Sequence, residues 1–253
     1  MKFMAVAETD IGISKQSNQD SVLIKHATYD GGEVLMTIVC DGMGGLSKGE
    51  LASAAVIRRF SDWFDLELCY ELDNPDLNLI GDRWATILSE MNGRIQNRSR
   101  QLNLRMGTTF CGVLLLNDEI LAVNVGDSRA YRIDLTLTQI TTDHSFVARE
   151  VSLGNMTPQQ AKVDRRRNLL LQCVGASESI APEIITGLGK PCCYLLCSDG
   201  FHHELDDAEI INYLNPDHQT DKNAMHRNLR DLIQLDMQRG ETDNITAILV
   251  KAN

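Results

Sequence analysis

The sequence predicts an α+β fold: two stacked, mainly antiparallel sheets flanked by helix pairs. Three observations predict it. Short apolar segments rich in Val, Ile, Leu and Thr recur between turn signals, too many for one flat sheet. Hairpin-length connections join many of them, as antiparallel pairing needs. Helical periodicity falls in two separate clusters, so each outer face of the stacked sheets has a pair of helices to cover it.

In chain order, strands are expected near 3–9, 21–28 and 33–40. A helix from Gly49 to Phe64 follows, with Leu51, Ala55, Ile57 and Phe60 at helical spacing. Segment 65–82 gives no specific signal, and a second helix from Asp82 to Gln101 repeats Trp84, Ile87, Leu88, Met91 and Ile95. Strands near 108–116 and 119–125 flank Asn117-Asp118, a tight hairpin signal, and strands near 129–133 and 137–141 come next. Thr157-Pro158-Gln159-Gln160 opens a short helix, because Thr is an N-cap and Pro suits the first helical position. Strands near 168–174, 182–187 and 193–198 lead to helices at 206–214 and 223–238, and a strand at 244–251 closes the fold.

Composition bounds the function. The 253 residues carry 43% hydrophobic and 23% charged residues, which suits a globular chain able to bury a substantial core. A net charge of -11 argues against nucleic acid or an anionic membrane as partner, since both need basic patches. No apolar run reaches transmembrane length, and the start meets Glu8 too early for a secretory signal, so a cytoplasmic protein is expected. The seven cysteines include no C-x-x-C pair. Cys193 and Cys197, four residues apart on a strand, stand roughly 13 Å from each other, too far to share one metal. Buried thiols are expected throughout.

The informative feature is where acid meets apolar strand. Asp41, Asp127 and Asp199 end strands, whereas Asp20 and Asp243 open them. In antiparallel pairs the C-end of one strand lies beside the N-end of its neighbour, so all five can gather at one edge of the sandwich. Each alone reads as a turn former. Together, with Asp41-Gly42, Gly126-Asp127 and Asp199-Gly200 among them, they read as a carboxylate cluster needing cations. Oxygen-only ligands select Mg²⁺ or Mn²⁺, and a cluster this acidic would hold more than one ion.

At this point the chain resembles the metal-dependent protein Ser/Thr phosphatases, the PPM or type 2C family, in its compact bacterial form. The matching pieces are Gly12-Ile13-Ser14-Lys15-Gln16-Ser17-Asn18-Gln19-Asp20, Asp41-Gly42-Met43-Gly44-Gly45, Gly107-Thr108-Thr109, Val125-Gly126-Asp127-Ser128-Arg129-Ala130-Tyr131, Thr142-Asp143-His144-Ser145, Ser198-Asp199-Gly200 and Asp243-Asn244-Ile245-Thr246. They keep the family's order and cover nearly the whole chain. The resemblance implies one domain over residues 1–253 with a four-layer α-β-β-α sandwich, a flap segment at about 146–168 and the metal site at one end of the sheets. Asp41 would bridge two tightly bound ions, with Asp20 and the Gly42 carbonyl completing one and Asp199 and Asp243 holding the other. Asp127, with Asp199, matches a third, weaker metal position. A water bridging the ions would attack phosphorus in line, with no phosphoenzyme.

Three departures bear on the site. Lys15 stands where the family has a phosphate-binding Arg, and would meet phosphate as a point charge rather than a fork, unless it is only an exposed turn lysine. Gln19 stands where Glu is frequent. Met43 replaces a His proposed as general acid in animal members, so leaving-group protonation must come from metal-bound water or another group. His202-His203 read as solvated loop residues, with a role at the rim of the site as the alternative, while His144 reads as a hydrogen-bonded scaffold residue. Arg165-Arg166-Arg167 is either a solvated helix end or a contact for an acidic or phosphorylated substrate.

The resulting expectation is a Mn²⁺/Mg²⁺-dependent phosphatase for phosphoserine and phosphothreonine in proteins, monomeric, partnered by a Ser/Thr kinase whose phosphorylation it reverses. The alternative is an inactive phosphatase-like signalling or binding domain, which loss of Asp41, Asp199 or Asp243 would favour; all three are present. A two-metal nuclease would need a basic groove that the composition does not offer.

Overall fold

A computed structural model describes residues 1–43 and 48–253, so Gly44 and Gly45 of the second motif lie outside the described residues. One antiparallel sheet has the order β1-β10-β9-β6-β7, with β1 at Phe3–Asp10, β6 at Arg129–Ile133, β7 at Leu137–Gln139, β9 at Cys192–Cys197 and β10 at Ile245–Ala252. The other has the order β2-β3-β4-β5-β8, with β2 at Ser21–Tyr29, β3 at Gly32–Cys40, β4 at Phe110–Leu116, β5 at Glu119–Val125 and β8 at Glu183–Leu188.

The period-2 alternation of the central strands sorts the core into three slabs. Val34, Met36, Ile38 and Cys40 of β3 face helices α1 (Gly49–Leu66) and α3 (Leu77–Leu102), packing with Phe60, Trp63, Trp84 and Phe110. Leu35 and Val39, the alternate β3 residues, meet Tyr194, Leu196, Ile248 and Val250 between the sheets. Ile245, Ala247 and Leu249 of β10 face α6 (Asp207–Leu214) and α7 (Lys222–Gln238) through Ile210, Leu229 and Leu232. Trp84 stacks edge-on against both Phe60 and Trp63, at ring separations of 5.2 and 5.5 Å. Helices thus cover both outer faces, giving the expected four layers.

The chain departs from the sequence reading in a few places. Residues 168–174 are not a strand. They make only isolated bridges, Ser145 with Leu170 and Thr108 with Val174, and Leu169 and Leu171 are exposed. An apolar run without a neighbouring ladder cannot form a strand, whatever its composition. β4 begins at Phe110 rather than 108, because Thr108 bridges both Gly42 and Val174 instead of joining the ladder. The segment 65–82 carries a short helix α2 (Leu68–Glu71) and the first turns of α3, opened by Asp76, whose side chain accepts from the Asn78 amide. The flap stretch contains α4 (Phe146–Ser152), capped by Ser145, besides the expected helix α5 (Pro158–Val163), which has a full capping box between Thr157 and Gln160.

Candidate metal centre

Antiparallel pairing brings the chosen strand ends together. β3 and β9 end, and β2 and β10 begin, at the same edge: Ser21 pairs with Cys40 across β2 and β3, and Cys197 pairs with Ala247 across β9 and β10. Asp20 and Asp41 extend the first pair, Asp199 and Asp243 the second. Asp127 follows β5, whose Val125 pairs with Phe110 at that edge.

Each carboxylate rests on a braced backbone. The Asp41 amide donates to the Thr109 hydroxyl (2.9 Å), and its carbonyl accepts from the Thr109 amide (2.9 Å) and the Thr108 hydroxyl (2.9 Å). The Gly107-Thr108-Thr109 motif is therefore the support of Asp41. Asn244 ties the first and last motifs together: its side-chain oxygen accepts from the Gln19 amide (2.9 Å), and its side-chain nitrogen donates to the carbonyls of Ile11 (2.8 Å) and Ser17 (3.2 Å). Gly12 adopts φ +75, and a Cβ there would stand 2.0 Å from the Asp243 carbonyl oxygen, so only glycine fits this crossing. At Gly42 a Cβ would stand 2.4 Å from the Gln19 carbonyl oxygen, which lets the Asp20 and Asp41 segments close on each other.

The electrostatics show that the five form one cluster. Burial pushes the Asp41 carboxyl well above the ordinary range, and the charges of Asp20, Asp199, Asp127 and Asp243 push it further. Asp20 is raised to about 6 by burial, with Asp199 and Asp243 adding to the rise. Asp127 is raised to about 8 by burial and by the charges of Asp199 and Asp143. Both carboxylate oxygens of Asp20, and Oδ1 of Asp199, are buried without a hydrogen bond among the described residues. The Ser198 and Thr246 hydroxyls are near enough to moderate the rise at Asp20, yet they bond each other's segment and Thr9 instead.

Buried, unpartnered carboxylate oxygens are costly unless cations neutralise them. The all-oxygen donor set fits hard divalent ions. The side chains are gathered without converging on one point, since no three His, Cys, Asp or Glu among the described residues form a ready ligand group.

Lys15 lies in the site. Its ammonium is 2.5 Å from Asp243 Oδ1, so it is not a free turn lysine. Gln19 is buried and donates to Glu50 Oε2 (3.0 Å), the place where a Glu at 19 would set two carboxylates against each other. His144 is a scaffold residue: its Nδ1 meets the Gly126 amide (3.2 Å) and the Gln172 side chain (2.8 Å). The neighbouring Asp143 holds Arg129 with paired bonds of 2.9 and 2.7 Å. Arg165-Arg166-Arg167 follows the C-end of α5, where Arg166 bonds Asp164 and covers the Phe146 ring at 4.3 Å.

The reading of His202-His203 as solvated loop residues is corrected. His202 Nε2 is buried without a hydrogen-bond partner among the described residues, and the His203 side chain is only 16% exposed, standing between Asp199 Oδ2 (3.7 Å) and Glu241 Oε2 (3.1 Å). The short 3-10 turn Asp199–Phe201 folds them inward, a geometry the sequence pattern does not disclose. Glu241 was not among the sequence candidates; an acid two residues before Asp243 was its only signal.

A groove of about 600 Å³ opens from the cluster. Asp127, Asp199 and His203 line one part, Val147, Ala148 and Val151 of α4 another, and Lys162 and Arg167 also border it.

The family model described as protein phosphatase 2C matches residues 12–234. The serine/threonine protein phosphatase PstP of Mycobacterium tuberculosis is 30% identical over 245 residues, covering 96% of this chain and 44% of that protein. The chain therefore spans less than half the length of that relative. Protein phosphatase PhpP of Streptococcus pneumoniae is 29% identical over 249 residues, covering 97% of this chain and 96% of that protein. A crystal structure of the PstP catalytic domain in complex with two manganese ions superposes with a TM-score of 0.76 at 28% identity, covering 98% of this chain and 97% of that one.

Proposed function

The chain belongs to the protein phosphatase 2C family of serine/threonine phosphatases, and from that premise we propose that it hydrolyses phosphoserine and phosphothreonine in proteins with Mn²⁺ or Mg²⁺. The observation that carries the reading is the cluster of five carboxylates at one sheet edge, in which both oxygens of Asp20 and Oδ1 of Asp199 are buried without a hydrogen bond among the described residues. Asp41, whose carboxyl feels the charges of all four other aspartates, would be the group shared by two ions. Asp20 and the Gly42 carbonyl would serve one, Asp199 and Asp243 the other, and Asp127 with Asp199 a third. The two manganese ions in the PstP complex support, by similarity, a centre for two such ions.

When bound, the ions supply Lewis-acid polarisation of the phosphoryl group and activation of a water for in-line attack. The protein's own part is positional. Thr108 and Thr109 fix Asp41. Lys15, at the edge of the cluster, offers an ammonium to the outer phosphoryl oxygens. Met43 cannot give a proton, and burial with the charges of Asp20 and Asp41 raises the Cys40 thiol well above its ordinary range, so neither protonation by Met43 nor a thiol-borne phosphoenzyme enters the scheme. The apolar wall of α4 and the cations Lys162 and Arg167 offer the groove to an extended phosphopeptide. A Ser/Thr kinase and its targets are the partners this chemistry implies.

Hydrolysis of three substrates tests the class: a phosphothreonine peptide, a phosphotyrosine peptide and a DNA phosphodiester, each with Mn²⁺. Turnover of the phosphothreonine peptide well above the other two is expected. Preference for the phosphodiester would overturn the reading.

A further inference from the structure

We propose that His203 and Glu241 form a clamp that positions Asp199 against Asp243, two carboxylates carried by different strands. The clamp rests on the reading of the cluster as a cation-binding centre.

The strands alone leave the two aspartates loosely fixed. The β9–β10 ladder ends at Cys197 and Ala247, and only the Ser198 segment continues it, through its amide to the Thr246 carbonyl at 3.0 Å. Asp199 then enters a 3-10 turn and Asp243 precedes β10, so the carboxylates lie beyond the ladder. The two backbones do touch there, because a Cβ on Gly200 would stand 2.3 Å from the Asn244 carbonyl oxygen. That contact sets backbone spacing; the Asp243 side chain is held by the Lys15 ammonium and the Asn244 amide, and the Asp199 side chain is left to be oriented by something else.

Glu241 and His203 span this gap. Glu241 Oε1 accepts from the amides of Thr242 (2.6 Å) and Asp243 (2.8 Å), which fixes the turn that presents Asp243. Its other oxygen meets His203 Nδ1 at 3.1 Å. The opposite ring nitrogen, Nε2, faces Asp199 Oδ2 at 3.7 Å, an electrostatic contact rather than a hydrogen bond. The Glu241 side chain is 6% exposed and that of His203 16%, so water competes little for either. The chain of contacts runs from the Asp243 amide through a carboxylate and an imidazole to Asp199. A carboxylate–imidazole pair behind a ligating carboxylate orients it and limits its swing, as partners behind metal ligands do. His203 and Glu241 are thus positioning residues, and neither is assigned a bond to substrate or ion.

Equilibrium Mn²⁺ binding to the full chain, followed by electron paramagnetic resonance of the free ion, tests the clamp without recourse to activity. Melting of each variant in chelator shows whether it folds. His203→Ala and Glu241→Ala are each expected to weaken the affected Mn²⁺ site about tenfold. The double variant is expected to be no weaker than the worse single one, because both remove one linkage. Two gentler variants keep the test available if an alanine variant fails to fold. His203→Asn keeps a donor near Glu241 but loses the group facing Asp199, and Glu241→Gln keeps an acceptor for the two amides but loses the charge. Both should fold and bind Mn²⁺ more weakly than the wild type. Wild-type affinity in the folded variants would overturn the clamp. Absence of Mn²⁺ binding in the wild type would instead overturn the cation-centre reading on which it rests.

Discussion

The Lys15 ammonium stands 2.5 Å from Asp243 Oδ1, at the crossing where Gly12 lets the first motif touch the backbone of the last. The family's arginine position therefore holds a cation that already has a carboxylate partner inside the cluster. Lys15→Ala should raise KM for a phosphopeptide more than it lowers kcat, with a loss in kcat/KM of about 1–3 kcal/mol, as for one charge-assisted hydrogen bond. Steady-state kinetics at saturating Mn²⁺ checks this. Unchanged KM and kcat would assign phosphate holding to another group, such as Arg167 at the groove.

Asp127 lies half-buried beyond β5 and is repelled by Asp199 and Asp143. Asp127→Ala should leave two tightly held ions while lowering turnover markedly. Native mass spectrometry for stoichiometry, run beside kinetics, decides. Loss of every ion would make Asp127 a ligand of the central pair.

Gly12→Ala should destabilise the protein by about 1–3 kcal/mol, because a side chain is strained at positive φ and its Cβ would strike the Asp243 carbonyl. Chemical denaturation of the chelated protein measures it. Stability equal to the wild type would show that the crossing can open.

Asp236, on α7, is buried with neither carboxylate oxygen hydrogen-bonded among the described residues. Burial, with the charge of Glu241, raises its carboxyl to about 7. The folded state then binds the proton more tightly than the unfolded one, so stability falls as pH rises from about 4 to 7. Asp236→Asn should stabilise the fold by about 1–3 kcal/mol at pH 8 and by little at pH 4. Melting curves at both pH values test the sign, and an equal effect at the two would contradict it.

Much of this was legible in the sequence, because strand-end aspartates are local signals. The apolar runs Leu35–Cys40 and Tyr194–Cys197 stop where acid begins, and antiparallel pairing then places Asp41 and Asp199 at one edge. What was not legible depends on contacts far apart in the chain. The Leu169–Leu171 run has strand composition but no ladder to join. His203 reads as an exposed loop residue until Glu241, 38 positions later, is seen beside it. Lys15 gives no sequence sign that Asp243 is its partner.

The most direct measurement is phosphate release from a phosphothreonine peptide by exhaustively dialysed protein, first with EDTA and then with Mn²⁺, for the wild type and Asp41→Ala. The account predicts no turnover in EDTA, recovery with Mn²⁺, and a rate at least about a hundredfold lower in a folded Asp41→Ala. Full wild-type activity in EDTA would contradict it.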